Sequence, residues 1–364
     1  MRSVRPTPFL PALALLALAP AAAAQVVLDN QETFPVDDAE LTPDGRLAVL
    51  REHTGWQSQA RVLDARTGAL VFEYTANSTS INGAAQDAVA ATNERAVVIG
   101  SSAMVLDLGA QPALLAEHPI GQFPRDLAIT PDGTKVVIRG GSDFQGGLYV
   151  LDLASGAQLA FAPGLPAPVP AMSFDVDSVV ATDRHGVLLS WVPPPADRAQ
   201  VTVFDLQPPG GGAPAVVFET GPGGPALDQL GAPHDLTLVG DGGHVAVRSE
   251  LSVALYRLDG TSTSQVWHKR LWGAPGPFGG SALDSIEATA ERVATISRRS
   301  SGGPGAQLDV FDLAGNQWYG AMLGDPHDLE ITPDGTRVLV RTSSGVYLFD
   351  LVNLPTTQQL TPLD

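Results

Sequence analysis

The chain has no cysteine, which excludes a disulfide framework, cysteine-ligated zinc, iron–sulfur clusters, Cys-attached haem and a cysteine nucleophile. Charge is scarce as well: 16% of the 364 residues are charged, against the usual quarter, and 21 are basic against 39 acidic. A formal net charge of −18 repels nucleic acid and anionic lipid and suits cations or basic partners. No stretch approaches 18 uninterrupted apolar residues, so no membrane insertion is expected. Also missing are a Gly-x-Ser-x-Gly elbow, a His-Glu-x-x-His pair, a phosphate-cradling glycine loop and a dinucleotide fingerprint. What is plentiful is glycine (38), proline (30) and apolar side chains (44%), the composition of a sheet protein with many turns.

Residues 1–24 read as a secretory signal. Arg2 and Arg5 precede an apolar run from Phe9 to Ala19, and Ala22-Ala23-Ala24 offers a cleavage site before Gln25. Residues 25–364 are then expected to form one exported domain, periplasmic or extracellular.

Two marks punctuate that domain. Leu41-Thr-Pro-Asp-Gly45, Ile129-Thr-Pro-Asp-Gly133 and Ile331-Thr-Pro-Asp-Gly335 are hairpin phrases, because Asp-Gly accepts positive φ and proline cannot sit in a central strand. The second mark, an apolar strand ending in Asp, occurs seven times, at Asp64, Asp107, Asp152, Asp205, Asp259, Asp312 and Asp350. These aspartates read as turn caps. Their spacings, from 38 to 54, and the several short strands in each unit predict an all-β fold: a seven-bladed β-propeller of four-stranded antiparallel blades. Ring closure is expected from residues 25–29 pairing with blade seven, with Thr356 to Leu360 as the rival strand.

Four blades carry an Asp at the start of the first strand and an Arg at the end of the second, always 13 residues apart: Asp38/Arg51, Asp126/Arg139, Asp235/Arg248 and Asp328/Arg341. An odd interval centred on the turn places each Asp across from its Arg on one sheet face, near a mouth of the central channel. Such pairs serve either as register-pinning ion pairs, the reading the residues favour, or as a polar ring for a charged ligand. Asp87, Asp175 and Asp284 lack a matching Arg, and acids left so would take a divalent cation if any cofactor is present; otherwise none is expected. His234 and His327 precede paired acids, and alternation points them to the opposite face, which argues for packing rather than metal binding.

The long connections, rich in Gly and Pro, fall on the face away from the Asp-Gly turns. They bring Trp56, Phe144, Trp272, Phe278, Arg298 and Arg299 forward as contacts. With its (Ser/Thr)-Pro-Asp-Gly phrases followed by apolar strands, the chain from Val26 to Leu360 resembles the bacterial secreted YVTN and WD40-like repeat propellers. That resemblance implies a structural motif set, with binding modules and lactonase-like enzymes among the members. The expectation is a non-enzymatic scaffold that binds a protein or small ligand through its loop-rich face. The alternative is a lactonase-like or metal-assisted hydrolase using the channel-mouth acids.

Overall fold

A computed structural model describes residues 36–54, 57–76, 88–100, 102–120, 126–142, 145–165, 178–192, 198–208, 214–220, 233–250, 252–259, 262–271, 284–298, 305–332, 334–352 and 358–359. The expected signal and the closing strand 25–29 lie outside them.

Every described element is a strand, and the strands form seven sheets in chain order. Blade one holds β1 (Val36–Leu41), β2 (Leu47–Thr54), β3 (Gln57–Asp64) and β4 (Leu70–Thr75). Blade two holds β5 (Val89–Ala91), β6 (Arg95–Ile99), β7 (Ala103–Asp107) and β8 (Ala113–His118). Blade three holds β9 (Asp126–Ile129), β10 (Lys135–Ser142), β11 (Gln145–Asp152) and β12 (Gln158–Leu165). Blade four holds β13 (Val179–Ala181), β14 (His185–Val192), β15 (Arg198–Asp205) and β16 (Ala215–Glu219). Blade five holds β17 (Pro233–Val239), β18 (His244–Ser249), β19 (Ser252–Asp259) and β20 (Ser262–Arg270). Blade six holds β21 (Ile286–Ala288), β22 (Arg292–Arg298), β23 (Ala306–Asp312) and β24 (Gln317–Met322). Blade seven holds β25 (Pro326–Ile331), β26 (Arg337–Thr342) and β27 (Gly345–Asp350). All of these pairings are antiparallel, and the fold is a seven-bladed β-propeller whose last blade has three strands among the described residues. The tail strand β28 (Gln358–Gln359) runs parallel to β24 on blade six, so this rival for closure does not pair with blade seven.

In blades two to six the middle strands are apolar on both faces because each of these sheets is packed between two others. In blade two Val97, Val98, Ile99, Met104, Val105 and Leu106 are all fully buried. Six apolar cores follow the ring, one at each boundary from blade one to blade seven. At the boundary between seven and one the described residues give only a small cluster within blade one, Ala48, Leu50 and Leu63.

The first hairpins of six blades come in two kinds, and blade five turns over Gly240–Gly243 in a third way. In blades one, three and seven the Thr-Pro-Asp-Gly turn is closed by its own side chains. Thr130 Oγ1 donates to Asp132 Oδ1 at 2.6 Å, the same oxygen accepts the Thr134 amide at 3.0 Å, and Gly133 sits at φ 67°. In blade seven the Thr332 hydroxyl and the Thr336 amide hold Asp334 down to about 2. Blades two, four and six use shorter connections, 92–94, 182–184 and 289–291. There the threonine hydroxyl accepts the amide three residues on, at 3.0, 2.8 and 3.1 Å. Adjacent turns are tied together: the Asp44 amide donates to Asn93 Oδ1 at 2.8 Å and the Asp132 amide to Asp183 Oδ1 at 2.7 Å. The ring is thus built from odd–even blade pairs, with blade seven an odd blade that no even blade follows.

Six of the seven aspartates that end the third strands cap the next turn among the described residues. Asp64 accepts the amides of Arg66 and Thr67, Asp152 that of Ser155, and Asp312 those of Ala314 and Asn316.

Candidate functional site: the channel mouth and its Asp/Arg pairs

Asp38 lies opposite Arg51, Asp126 opposite Arg139, Asp235 opposite Arg248, and Asp328 opposite Arg341. In blades one, five and seven a bulge falls on the residue just before the Asp, which leaves the register between Asp and turn intact. In blades five and seven those bulge residues are His234 and His327. Strict alternation therefore does not set where they point, which corrects the expectation drawn from it.

In the first three odd blades the carboxylate reaches into the next blade. Asp38 Oδ2 accepts the amides of Ala88 and Val89 at 2.7 and 2.8 Å. Asp126 Oδ2 accepts those of Ser178 and Val179 at 2.5 and 2.6 Å, plus the Ser178 hydroxyl at 3.2 Å. Asp235 Oδ2 repeats the pattern on Ser285 and Ile286, at 2.7 and 2.9 Å, with the Ser285 hydroxyl at 3.1 Å. One carboxylate oxygen thereby satisfies the two amides that open an even blade, where no strand partner reaches them.

The arginines cross the same boundaries. Arg139 Nη1 donates to the Leu189 carbonyl and the Ser190 hydroxyl of blade four at 2.9 and 2.8 Å. Arg248 Nη2 donates to the Ile296 carbonyl and the Ser297 hydroxyl of blade six at 3.4 and 3.1 Å. Arg51, Arg139 and Arg248 are the three largest fully buried side chains. Burial pulls Arg248 down to about 9, against the charges of Asp309, Asp235 and Glu250, so it stays charged at neutral pH. Burial likewise raises Asp235 well above the usual carboxylate range, with the Ser285 and Ile286 amides opposing and Asp284 adding to the rise. Burial, with the Arg248 charge, lowers His234 to about 3.

The pair in blade seven is different. Arg341 Nε stands 3.6 Å from Asp328 Oδ2, and the two side chains are 48% and 34% exposed.

The remaining candidates divide by location. Asp87, Asp175, Trp56, Phe144, Trp272, Phe278 and Arg299 lie outside the described residues. Arg298 is ion-paired with Asp325 at 3.2 Å, joining β22 to the connection that leads into blade seven. Asp284 sits where its charge acts on both Asp235 and Glu287. Burial pushes Glu287 up to about 7, helped by Asp284, Glu330 and Asp328. Among the described residues no group of three or more His, Asp or Glu is disposed to hold a metal ion. A cavity of about 640 Å³ opens between blades six and seven on the Asp-Gly turn side, lined in part by Glu287, Thr289, Arg292 and Asp334.

Sequence reasoning missed the even-blade half of the clamp. Its signal was present: Asp177 and Asp284 stand 13 residues before Ser190 and Ser297, the interval of the odd-blade pairs, with a serine where those pairs have arginine. By that count Asp177, not Asp175, holds the blade-four position.

These sheets and their boundary clamps define a β-propeller. No family model and no curated protein matches the chain. Among solved structures it is similar to hydrazine synthase of Kuenenia stuttgartiensis (13% identity, TM-score 0.48, covering 89% of this chain and 98% of that one). It is also similar to the WD40 domain of Pan2 from Neurospora crassa (14%, 0.47, 90% and 91%). A third similar structure is a functionally unknown protein of Desulfotomaculum acetoxidans DSM 771 (13%, 0.45, 81% and 89%).

Proposed function

We propose that the protein is an exported, non-enzymatic propeller scaffold of the YVTN and WD40-like kind, binding a protein or other ligand through the face that carries its long connections. The observation behind this reading is that three of the four Asp/Arg pairs are consumed in blade-to-blade bonds. The mouth is thereby a rigid rim, and variation is left to the connections on the same face. Four of the six between blades run over residues 76–88, 166–178, 220–232 and 271–285, the other two over 119–125 and 323–325, while the opposite face turns over within residues 92–94 or 130–134. Long connections on a stiff ring are where repeat proteins carry recognition. The test is retention of partners from extracellular or periplasmic extracts on the purified chain and on a variant with residues 221–232 and 273–281 replaced by short Gly-Ser links. Scaffold function predicts partners lost by the variant while its thermal midpoint is unchanged; equal retention overturns it.

One observation favours the hydrolase reading. Glu287, with its carboxyl near 7 beside a cavity, has the protonation behaviour that acid–base chemistry uses. A chelator-sensitive hydrolytic activity that Glu287→Gln abolishes would carry that reading instead.

A further inference from the structure

We propose that the face of blade seven left open by the described residues is a docking site for one extended strand of another polypeptide, of the sequence type that the even blades present to the odd ones. Three boundaries within the molecule show what such a face receives. The strands seated there read Ala88-Val-Ala-Ala-Thr92, Ser178-Val-Val-Ala-Thr182 and Ser285-Ile-Glu-Ala-Thr289: a small residue, a β-branched one, any residue, then Ala-Thr. Each gives its first two amides to the Asp of the preceding odd blade.

Blade seven carries the same equipment with nothing of this kind against it among the described residues. Asp328 and Arg341 face each other in the register of Asp126 and Arg139. Counting from those pairs, Leu339, Val346 and Leu348 hold the positions of Val137, Leu148 and Val150. In blade three those three side chains are at most 1% exposed, while Leu339 is 37% exposed. Along β26 the exposure alternates residue by residue: Arg337, Leu339 and Arg341 are open, while Val338, Val340 and Thr342 are buried, the two valines in the core shared with blade six. The face is apolar at its middle, and at its inner end a carboxylate stands where Asp126 takes two backbone amides, beside a guanidinium that stands where Arg139 does.

Two occupants from the chain itself fit poorly. Blade one is an odd blade. Its first strand offers Ala39-Glu40 where the pattern needs a β-branched second residue, and the Ala39 amide already donates to Asp38 Oδ1 at 2.7 Å. Residues 1–35 and 353–364 contain no small–Val/Ile–x–Ala–Thr sequence. The chemistry that fits is therefore an extended segment of this pattern from a separate polypeptide, held by face packing and two amides on one carboxylate.

The probe is a fluorescein-labelled peptide of residues 176–183, Val-Asp-Ser-Val-Val-Ala-Thr-Asp, titrated by anisotropy with the purified chain. Saturable binding is expected, weakened at least about ten-fold by Asp328→Ala, since that change removes the acceptor of both backbone amides. It should be unchanged by Leu70→Ser, at an exposed position on the outer strand of blade one. A peptide with proline in place of Val179 lacks one of the two amides and should bind as weakly as the Asp328 variant allows; this arm needs no altered protein. Absence of saturable binding, or binding indifferent to both the Asp328 change and the proline, overturns the proposal. Because the chain has no cysteine, Leu41→Cys with Leu339→Cys reports competing occupants cleanly. A disulfide within one molecule would mean that blade one fills the face, a disulfide-linked dimer of Leu339→Cys alone would mean a second copy does, and either overturns the proposal.

Discussion

Asp126 and Asp328 stand at the same position of two odd blades, yet one is 2% exposed and holds the opening amides of the next blade, and the other lies open beside its arginine. Their removal should therefore differ in cost. Asp126→Ala strips the partner from two backbone amides and leaves Arg139 buried beside an emptied position, a loss of about 3–5 kcal/mol. Asp328→Ala breaks only an exposed contact, worth less than about 1 kcal/mol. Urea unfolding of the two variants checks the difference, and equal losses would show that the clamp bears no load in blade three. Two titrating groups give opposite pH signatures. His234, lowered from 6.5 to about 3 by burial and the Arg248 charge, binds fewer protons in the native state than in the unfolded chain, so its contribution is complete above pH 6.5 and drains as pH falls toward 3. Glu287, raised from 4.5 to about 7 by burial and its acidic neighbours, does the reverse: its protonated form is the native preference, and stability falls as pH rises from 4.5 to 7. His234→Asn should flatten the acid limb of the urea-midpoint profile. Glu287→Gln should flatten the decline between pH 4.5 and 7, by about 1–2 kcal/mol after allowing for its partial exposure.

At the scale of the element, the unit of construction is the boundary between an odd blade and the even blade after it. Blade four supplies Ser190 and blade six Ser297 to the incoming arginine, but blade two has Gly100 there. The reason is space. A Cβ on Gly100 would come within 2.0 Å of the Ser58 hydroxyl and 2.3 Å of its Cβ, with Arg51 Nε 3.7 Å away. In blade one a serine of the odd blade itself fills the volume that the even-blade serine fills elsewhere. Gly100→Ser should thus overpack the boundary by about 1–3 kcal/mol, and Ser58→Gly in the same chain should recover most of the loss. The blade count and the Asp-to-Arg register were legible because each rests on local chemistry: turn residues, alternation and a constant interval. The destination of the carboxylates was not, because strand pairing places a residue opposite its neighbour within a sheet, whereas Asp38, Asp126 and Asp235 spend an oxygen across the gap between sheets. The odd–even alternation was half legible: the short turns after Ala91, Ala181 and Ala288 lack the Thr-Pro-Asp-Gly phrase, and they are a second turn type with its own threonine bond.

An odd number of blades built from odd–even pairs leaves one blade without its complement, and the consequence belongs to the whole ring. Blades two to six are each packed on both faces, while blade seven shares an apolar core with blade six alone among the described residues. In a structure of stacked repeats, stability is close to a sum of unit and boundary terms, so a unit with one boundary opens before units with two. The backbone amides of β26 are bonded on both sides, to β25 and β27, just as those of β10 are bonded to β9 and β11. Local hydrogen bonding therefore gives no reason for the two strands to differ, and a difference in their exchange isolates the missing boundary. Native-state hydrogen exchange should show the amides of Val338–Val340 exchanging at least about ten-fold faster than those of Val136–Ile138. A strand seated on blade seven should slow the first set and leave the second unchanged. Equal protection of the two strands in the isolated chain would mean that the ring is closed in solution and that the face of Leu339 and Arg341 is already covered.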